Sequence, residues 1–102
     1  MANKINIIAG LFKAFNYESI TITNSVKSLT PTVYGELAKK VIIIVENATL
    51  RYRLDGGNPT IDEGMSLNPF DTLTIIGSDN IKNFKAIRKT STNSKIFVTY
   101  EK

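Results

Sequence analysis

Val41-Ile42-Ile43-Ile44-Val45 is a run of five consecutive β-branched residues, and its reading decides the fold. Such side chains are stiff at χ1 and pack well on a pleated, extended backbone. Successive side chains of a strand point to opposite faces, so a half-buried strand alternates apolar and polar residues. Here both faces are apolar. A strand of this kind needs cover on both sides: the domain core on one, and another element or subunit on the other. Left bare, it is an aggregation hazard.

Working outward, the flanking segments alternate. Ser19-Ile20-Thr21-Ile22-Thr23 and Leu50-Arg51-Tyr52-Arg53-Leu54 read as strands, the second with Leu50, Tyr52 and Leu54 inward and both arginines outward. Thr72 to Ile76 is a further strand, closed by the turn residues Gly77-Ser78-Asp79-Asn80. Asn83–Lys89 and Lys95–Tyr100 read as a hairpin around Thr90–Ser94, with Ile96, Val98 and Tyr100 on one face. Asp55-Gly56-Gly57-Asn58-Pro59 turns the chain after Leu54, and Gly64 marks another turn. Pro31 blocks a helix through the Val26–Val33 stretch, and no helix is required after residue 20. Short strands with turn signals about every ten residues predict an all-β protein, a small immunoglobulin-like or jelly-roll-like β-sandwich.

Two parts are expected: an N-terminal arm over residues 1–18 and the sandwich over 19–102. In the arm, Ile5, Ile8, Leu11, Phe12 and Phe15 have helical spacing, while Ile5-Asn6-Ile7 also suits a strand. Its apolar side chains either pack on their own sandwich or reach a neighbouring subunit, because a domain this small has limited core to receive them. Lys4 before the apolar stretch is loosely like a signal peptide, but Lys13 interrupts it and no small-residue cleavage site follows. No segment approaches the roughly 20 apolar residues of a membrane span.

Composition narrows the chemistry. The 102 residues fit one domain, and 42% hydrophobic content fits a globule rather than a disordered chain. With no Cys there are no disulfides, thiolate nucleophiles or Cys-ligated zinc; with no His, the commonest general base and transition-metal ligand are missing. No catalytic residue, cofactor or metal site is therefore expected. Thirteen basic against nine acidic residues give +4, scattered rather than clustered, unlike the stripe of a nucleic-acid binder.

The remaining candidates read mostly as structure. Asp55, Asp62 and Glu63 surround a Gly-rich loop but lack the alternating spacing of a calcium loop. Asp55, Gly56, Gly57, Pro59 and Gly64 are read as turn residues; no Gly-Lys-Ser/Thr follows Gly57 to make a phosphate loop. Arg51 and Arg53 suit a solvated face or the carboxylates of a protein partner. Alternation puts Tyr52 on the opposite face, so the three cannot form one stacking platform for nucleic acid. The candidate partner interface is accordingly Ile5, Ile8, Leu11, Phe12, Phe15, Arg51 and Arg53. A glycan site would need a concave patch with exposed aromatics, for which Tyr17, Tyr34, Phe70 and Phe97 are the candidates.

The stretch Leu50-Arg-Tyr-Arg-Leu-Asp-Gly-Gly-Asn-Pro-Thr60 followed by Gly64 resembles an "RYRLDG..PT...G" pattern in small proteins of tailed bacteriophages. Flanking pieces are similar too: Leu29-Thr30, Tyr34-Gly35, Val45-Glu46-Asn47-Ala48, Phe84–Arg88 and Phe97–Tyr100, so the resemblance covers about residues 20–100. The Asp-Gly-x-x-Pro-Thr element also resembles the immunoglobulin-like domain appended to chitobiases, which normally accompanies a large catalytic domain absent from this chain. The phage resemblance implies a non-enzymatic virion structural protein, made in the host cytoplasm and carried on the particle. Capsid decoration or cement stands ahead of a tail-associated or glycan- or receptor-binding module. The expected partners are virion proteins and further copies of the chain, as a dimer or trimer, with neither nucleic acid nor membrane.

Overall fold

The computed structural model describes residues 11–102. Eight strands and two short helices follow in chain order: β1 (Ala14–Ile22), β2 (Lys27–Ser28), α1 (Pro31–Tyr34), β3 (Lys40–Asn47), β4 (Leu50–Arg53), β5 (Met65–Leu67), β6 (Thr72–Ile76), α2 (Ser78–Asn83), β7 (Lys85–Arg88) and β8 (Ser94–Glu101). They form two four-stranded sheets, ordered β1-β8-β3-β6 and β2-β7-β4-β5, with every pairing antiparallel. Strand 1 lies beside 8, 2 beside 7, 3 beside 6 and 4 beside 5, as if one long hairpin had been rolled up. Of the two sandwich types expected, this order is that of the jelly roll, with its two Greek keys.

Period-two patterning builds the interior. In β3 the inward set is Val41, Ile43 and Val45, all fully buried, facing Tyr100, Val98 and Ile96 of β8 in register. Leu50 and Tyr52 of β4, Leu67 of β5 and Ala86 of β7 line the opposing sheet, with Phe84 buried beside Tyr52 at a ring separation of 5.9 Å. Ile22 and Ile20 of β1 and Ile75 and Leu73 of β6 complete the first sheet's contribution. Fully burying an aliphatic side chain of this kind is worth about 1.5–3 kcal/mol, so the alternation in β3, β4 and β8 is the main source of stability. One polar group enters the interior from β1. The Glu18 carboxylate accepts hydrogen bonds from Tyr100 Oη (2.5 Å), Thr30 Oγ1 (2.7 Å) and the Thr30 N–H (3.3 Å). Burial and this carboxylate push the Tyr100 hydroxyl well above its ordinary range, so it stays protonated and donating.

Four expectations change. First, Gly77–Asn80 is not a strand-closing turn: α2 starts at Ser78, and its Ile81 is buried as a plug at one end of the sandwich. Second, Pro31 begins a helix rather than preventing one. At the first helical position its missing N–H costs nothing, and α1 runs to Tyr34 before Gly35 ends it. Third, β7 and β8 are not a hairpin. They lie in different sheets, and the segment between them crosses the sandwich, anchored by Arg88 N–H to the Thr23 carbonyl (2.9 Å) and Lys89 N–H to the Thr49 carbonyl (3.0 Å). Fourth, β1 begins at Ala14, so residues 14–18 belong to the sandwich; Lys13 and Lys102 exchange backbone hydrogen bonds at 2.9 Å beyond it.

Asn68-Pro69-Phe70-Asp71 is a tight turn joining β5 to β6. Asp71 N–H donates to the Asn68 carbonyl (3.0 Å), and Asp71 Oδ2 accepts from Asn68 N–H (2.8 Å). Proline precedes a residue of φ +71°, the arrangement of a type II turn, but that residue is Phe70 where glycine is the usual occupant. A left-handed conformation costs a residue with a side chain about 1–2 kcal/mol.

Candidate protein-docking surface

The outer faces of the two sheets are finished differently. On β2-β7-β4-β5 the chain covers itself. Residues 54–64 fold back over β4, and its two outward arginines hold them there. Arg51 Nε donates to the Ile61 carbonyl (2.9 Å), and its Nη1 to the Gly64 carbonyl (2.9 Å) and Ser66 Oγ (3.1 Å). Arg53 meets Asp55 in a two-pronged contact, Nε to Oδ1 at 3.0 Å and Nη2 to Oδ2 at 2.6 Å, and its Nη1 donates to the Asn58 carbonyl (3.3 Å). Asp55 also accepts the Gly57 N–H (3.1 Å). These bonds to the ionised form, Arg53 first, hold its carboxyl down at about 2, and Asp55 raises the Arg53 guanidinium in turn.

Each turn residue has a local reason. Gly56 has φ +87°, and a Cβ on Gly57 would stand 2.5 Å from Arg53 Nη2. Pro59 is fully buried beneath the loop. Gly64 lies so near the Tyr52 carbonyl and Arg51 that a side chain would press on both. Asp62 and Glu63 belong to a turn closed by Thr60, whose hydroxyl accepts both their N–H groups. Beside this loop, Leu54 and Met65 meet Asn80 and Asn83 in a wide, shallow depression with no aromatic in its lining.

Among the described residues, no such loop lies over the outer face of β1-β8-β3-β6. Strand register places Ser19, Phe97, Ile44 and Thr72 in one row and Tyr17, Thr99, Ile42 and Thr74 in the next. The apolar members run obliquely across it. Tyr17 (56% exposed) stacks on Phe97 with ring centroids 6.4 Å apart and planes 13° from parallel. Ile44 (42% exposed) lies beside Phe97, Ile42 follows, and Ile76 (58% exposed) closes the stripe on β6. Lys95 Nζ sits 5.5 Å from the Phe97 ring centre, and Lys40 pairs with Glu101 at 3.4 Å, so charges border the stripe instead of interrupting it. Aromatic and β-branched side chains framed by threonines, with charge at the rim, have the make-up of a protein interface core.

The proposed interface residues therefore fall in different places. Arg51 and Arg53 bind their own loop. Phe15 packs partly against the core and Phe12 lies 5.1 Å from Lys40 Nζ, while Leu11 is 85% exposed. Ile5 and Ile8 lie outside the described residues. Of the aromatics considered for a glycan, Tyr34 is buried against Tyr100; Tyr17 and Phe97 share the sheet face, and Phe70 stands apart at the β5–β6 turn. Ile42 and Ile44 are the outward half of the run that opened the sequence reading. Ile76 carried no separate signal, since an apolar residue at a strand's end is equally a core residue. Among the described residues, no group of three or more Asp or Glu side chains is placed to hold a metal, and no helix is long and apolar enough to cross a membrane. No family model, curated protein or solved structure matches the chain.

Proposed function

We propose that the chain is a non-enzymatic structural protein of a bacteriophage particle that decorates or cements the capsid, docking through the outer face of β1-β8-β3-β6. The observation that carries the reading is the stripe of Tyr17, Phe97, Ile44, Ile42 and Ile76, over which no segment among the described residues folds, on a sheet whose counterpart is covered by the chain's own loop. Burying aromatic and aliphatic anchors of this kind within a ring of polar residues gives affinity through a few hot spots. The phage particle as partner comes from the resemblance of Leu50–Thr60 and its flanks to small tailed-phage proteins, a resemblance shared by head and tail roles. The working part of that motif, Arg51 and Arg53 with Asp55, stabilises the opposite sheet and leaves the stripe free for a partner.

The test is the protein content of purified particles. The chain is expected at a fixed ratio to the major capsid protein, and cryo-EM density should place the β1-β8-β3-β6 face against the shell. A chain found in lysate and never in purified particles overturns the reading.

A further inference from the structure

The sandwich has four strand edges, and three are protected. β2 and β5 have only two and three residues. β1 is bulged between Ala14 and Asn16; the Asn16 side chain occupies the Tyr17 N–H and also holds the Val33 carbonyl, tying the segment after β2 against this edge. Natural proteins guard exposed edges by such shortening, bulging and covering, or with charge and proline. Among the described residues, β6 has none of these devices. Thr72-Leu73-Thr74-Ile75-Ile76 is five residues without charge, proline or bulge, and four of them are β-branched strand formers.

The bonding parity of β6 shows what that edge offers. The bonds from Val45 N–H to the Asp71 carbonyl (3.0 Å) and from Gly77 N–H to the Lys39 carbonyl (2.8 Å) bracket the β3–β6 ladder. With the Val41–Ile75 and Ile43–Leu73 pairs between them, they turn the backbone groups of odd-numbered residues toward β3. The N–H and C=O groups of Thr72, Thr74 and Ile76 therefore point outward, away from the sheet. The Ile76 carbonyl accepts from Asn80 Nδ2 (3.0 Å).

We propose that β6 pairs with β6 of a second copy, antiparallel about a two-fold axis at Thr74, joining two sheets into one of eight strands. In this register Thr74 faces its own equivalent and Thr72 faces the partner copy's Ile76, so the outward backbone groups of each strand find partners. The same register carries Phe70 to the level of the other copy's Ser78, at the junction of its β6 and α2. Phe70 is 71% exposed and held at φ +71°, a conformation that favours glycine. A strained backbone presenting a bare aromatic is accounted for when the ring is an anchor. Two Phe70 and two Ile76 side chains contribute on the order of 400–500 Å² of buried surface. With the strands and threonines added, the total approaches the roughly 1,200 Å² at the low end for specific interfaces. The expected dimer is reversible and concentration-dependent. A second copy is favoured over a foreign strand because the contact is self-complementary, the same five residues serving both sides.

Sedimentation velocity over a concentration series tests it, beside two variants. Thr74→Lys places two like charges directly opposite one another at the axis and should weaken the dimer at least about tenfold, with unchanged circular dichroism. Phe70→Gly should weaken it as well while raising the thermal midpoint of the monomer, an outcome that loss of folding cannot imitate. Thr74→Cys, in a chain without other thiols, should cross-link to itself through a short bis-maleimide, since paired Cα atoms in this register lie about 5.5 Å apart. A wild-type chain that stays monomeric at millimolar concentration overturns the proposal, as does a dimer indifferent to Thr74→Lys. Particle incorporation is read separately. Wild-type monomers that still enter particles remove the dimer and leave the docking face standing; a dimer absent from particles does the reverse.

Discussion

The two outer faces of this sandwich hold their side chains to opposite ends. Over β4 the polar residues Arg51, Arg53 and Asp55 bond to the chain's own loop, so a sequence that looks built for a partner is largely satisfied from within. Over the middle of β3 the outward Ile42 and Ile44, with Phe97 of β8, have no polar handle and no covering segment among those described. Conspicuous polarity in a sequence therefore marks an internal fastening here, and a monotonous aliphatic run marks an exposed sheet face. The difference follows from directionality: guanidinium groups capture nearby carbonyls in fixed geometry, whereas apolar surface accepts whatever excludes water.

The largest effect should come from charging the uncovered face. Ile44→Glu combined with Phe97→Glu is expected to cut incorporation into particles by on the order of 100-fold, because hot-spot side chains carry 2 kcal/mol or more each. Urea unfolding should show a far smaller change, since both side chains lie outside the core. A large loss of stability would place them in the folding core and end the contrast between faces.

Next comes the covered face. Arg51→Ala removes two hydrogen bonds to the 54–64 loop and one to Ser66 of β5 and should cost about 1–3 kcal/mol in urea unfolding, with particle incorporation unchanged. If incorporation falls while stability holds, Arg51 is a partner contact and the two faces exchange roles.

The smallest effect sharpens the picture at acid pH. Asp55 has its carboxyl lowered to about 2 from its ordinary 3.8. A carboxyl lowered by folding adds stability above the unfolded value and loses it as pH falls through the folded one. The Arg53–Asp55 contact should therefore support the loop above pH 4 and fade toward pH 2. Asp55→Asn should flatten the acid limb of the stability curve in that window and leave neutral behaviour nearly unchanged, while a carboxyl chemical-shift titration of Asp55 reads the lowered value directly.

Which parts of this were legible in the sequence follows from length and periodicity. β1, β3, β4, β6 and β8 each alternate or carry a β-branched run over four residues or more, enough for a period of two to show. β2 and β5, at two and three residues, are too short for any period. So are α1 and α2, at four and six residues. The segment Thr90-Ser91-Thr92-Asn93-Ser94 reads as a turn, but the same residues serve a hairpin or a crossing between sheets; only pairing partners distinguish them. Of the docking face, Ile42 and Ile44 were readable as excess apolar surface. The fate of Arg51 was not, because alternation says which way a side chain points and not which loop will return to meet it. Phe70 was hidden for a different reason: a type II turn is recognised by glycine after proline, and here that glycine is replaced.

The pairing of β1 with β8 carries one more consequence. β8 enters its sheet between β1 and β3, so that sheet lacks its central member until residues 94–101 have left the ribosome. Until then Val41, Ile43 and Val45 have neighbours only on the β6 side, and the other edge of β3 stays open to any passing strand. Closure is then expected once β8 is available, on the millisecond-to-second scale of sandwiches rich in sequence-distant contacts, and deleting β8 should abolish folding outright.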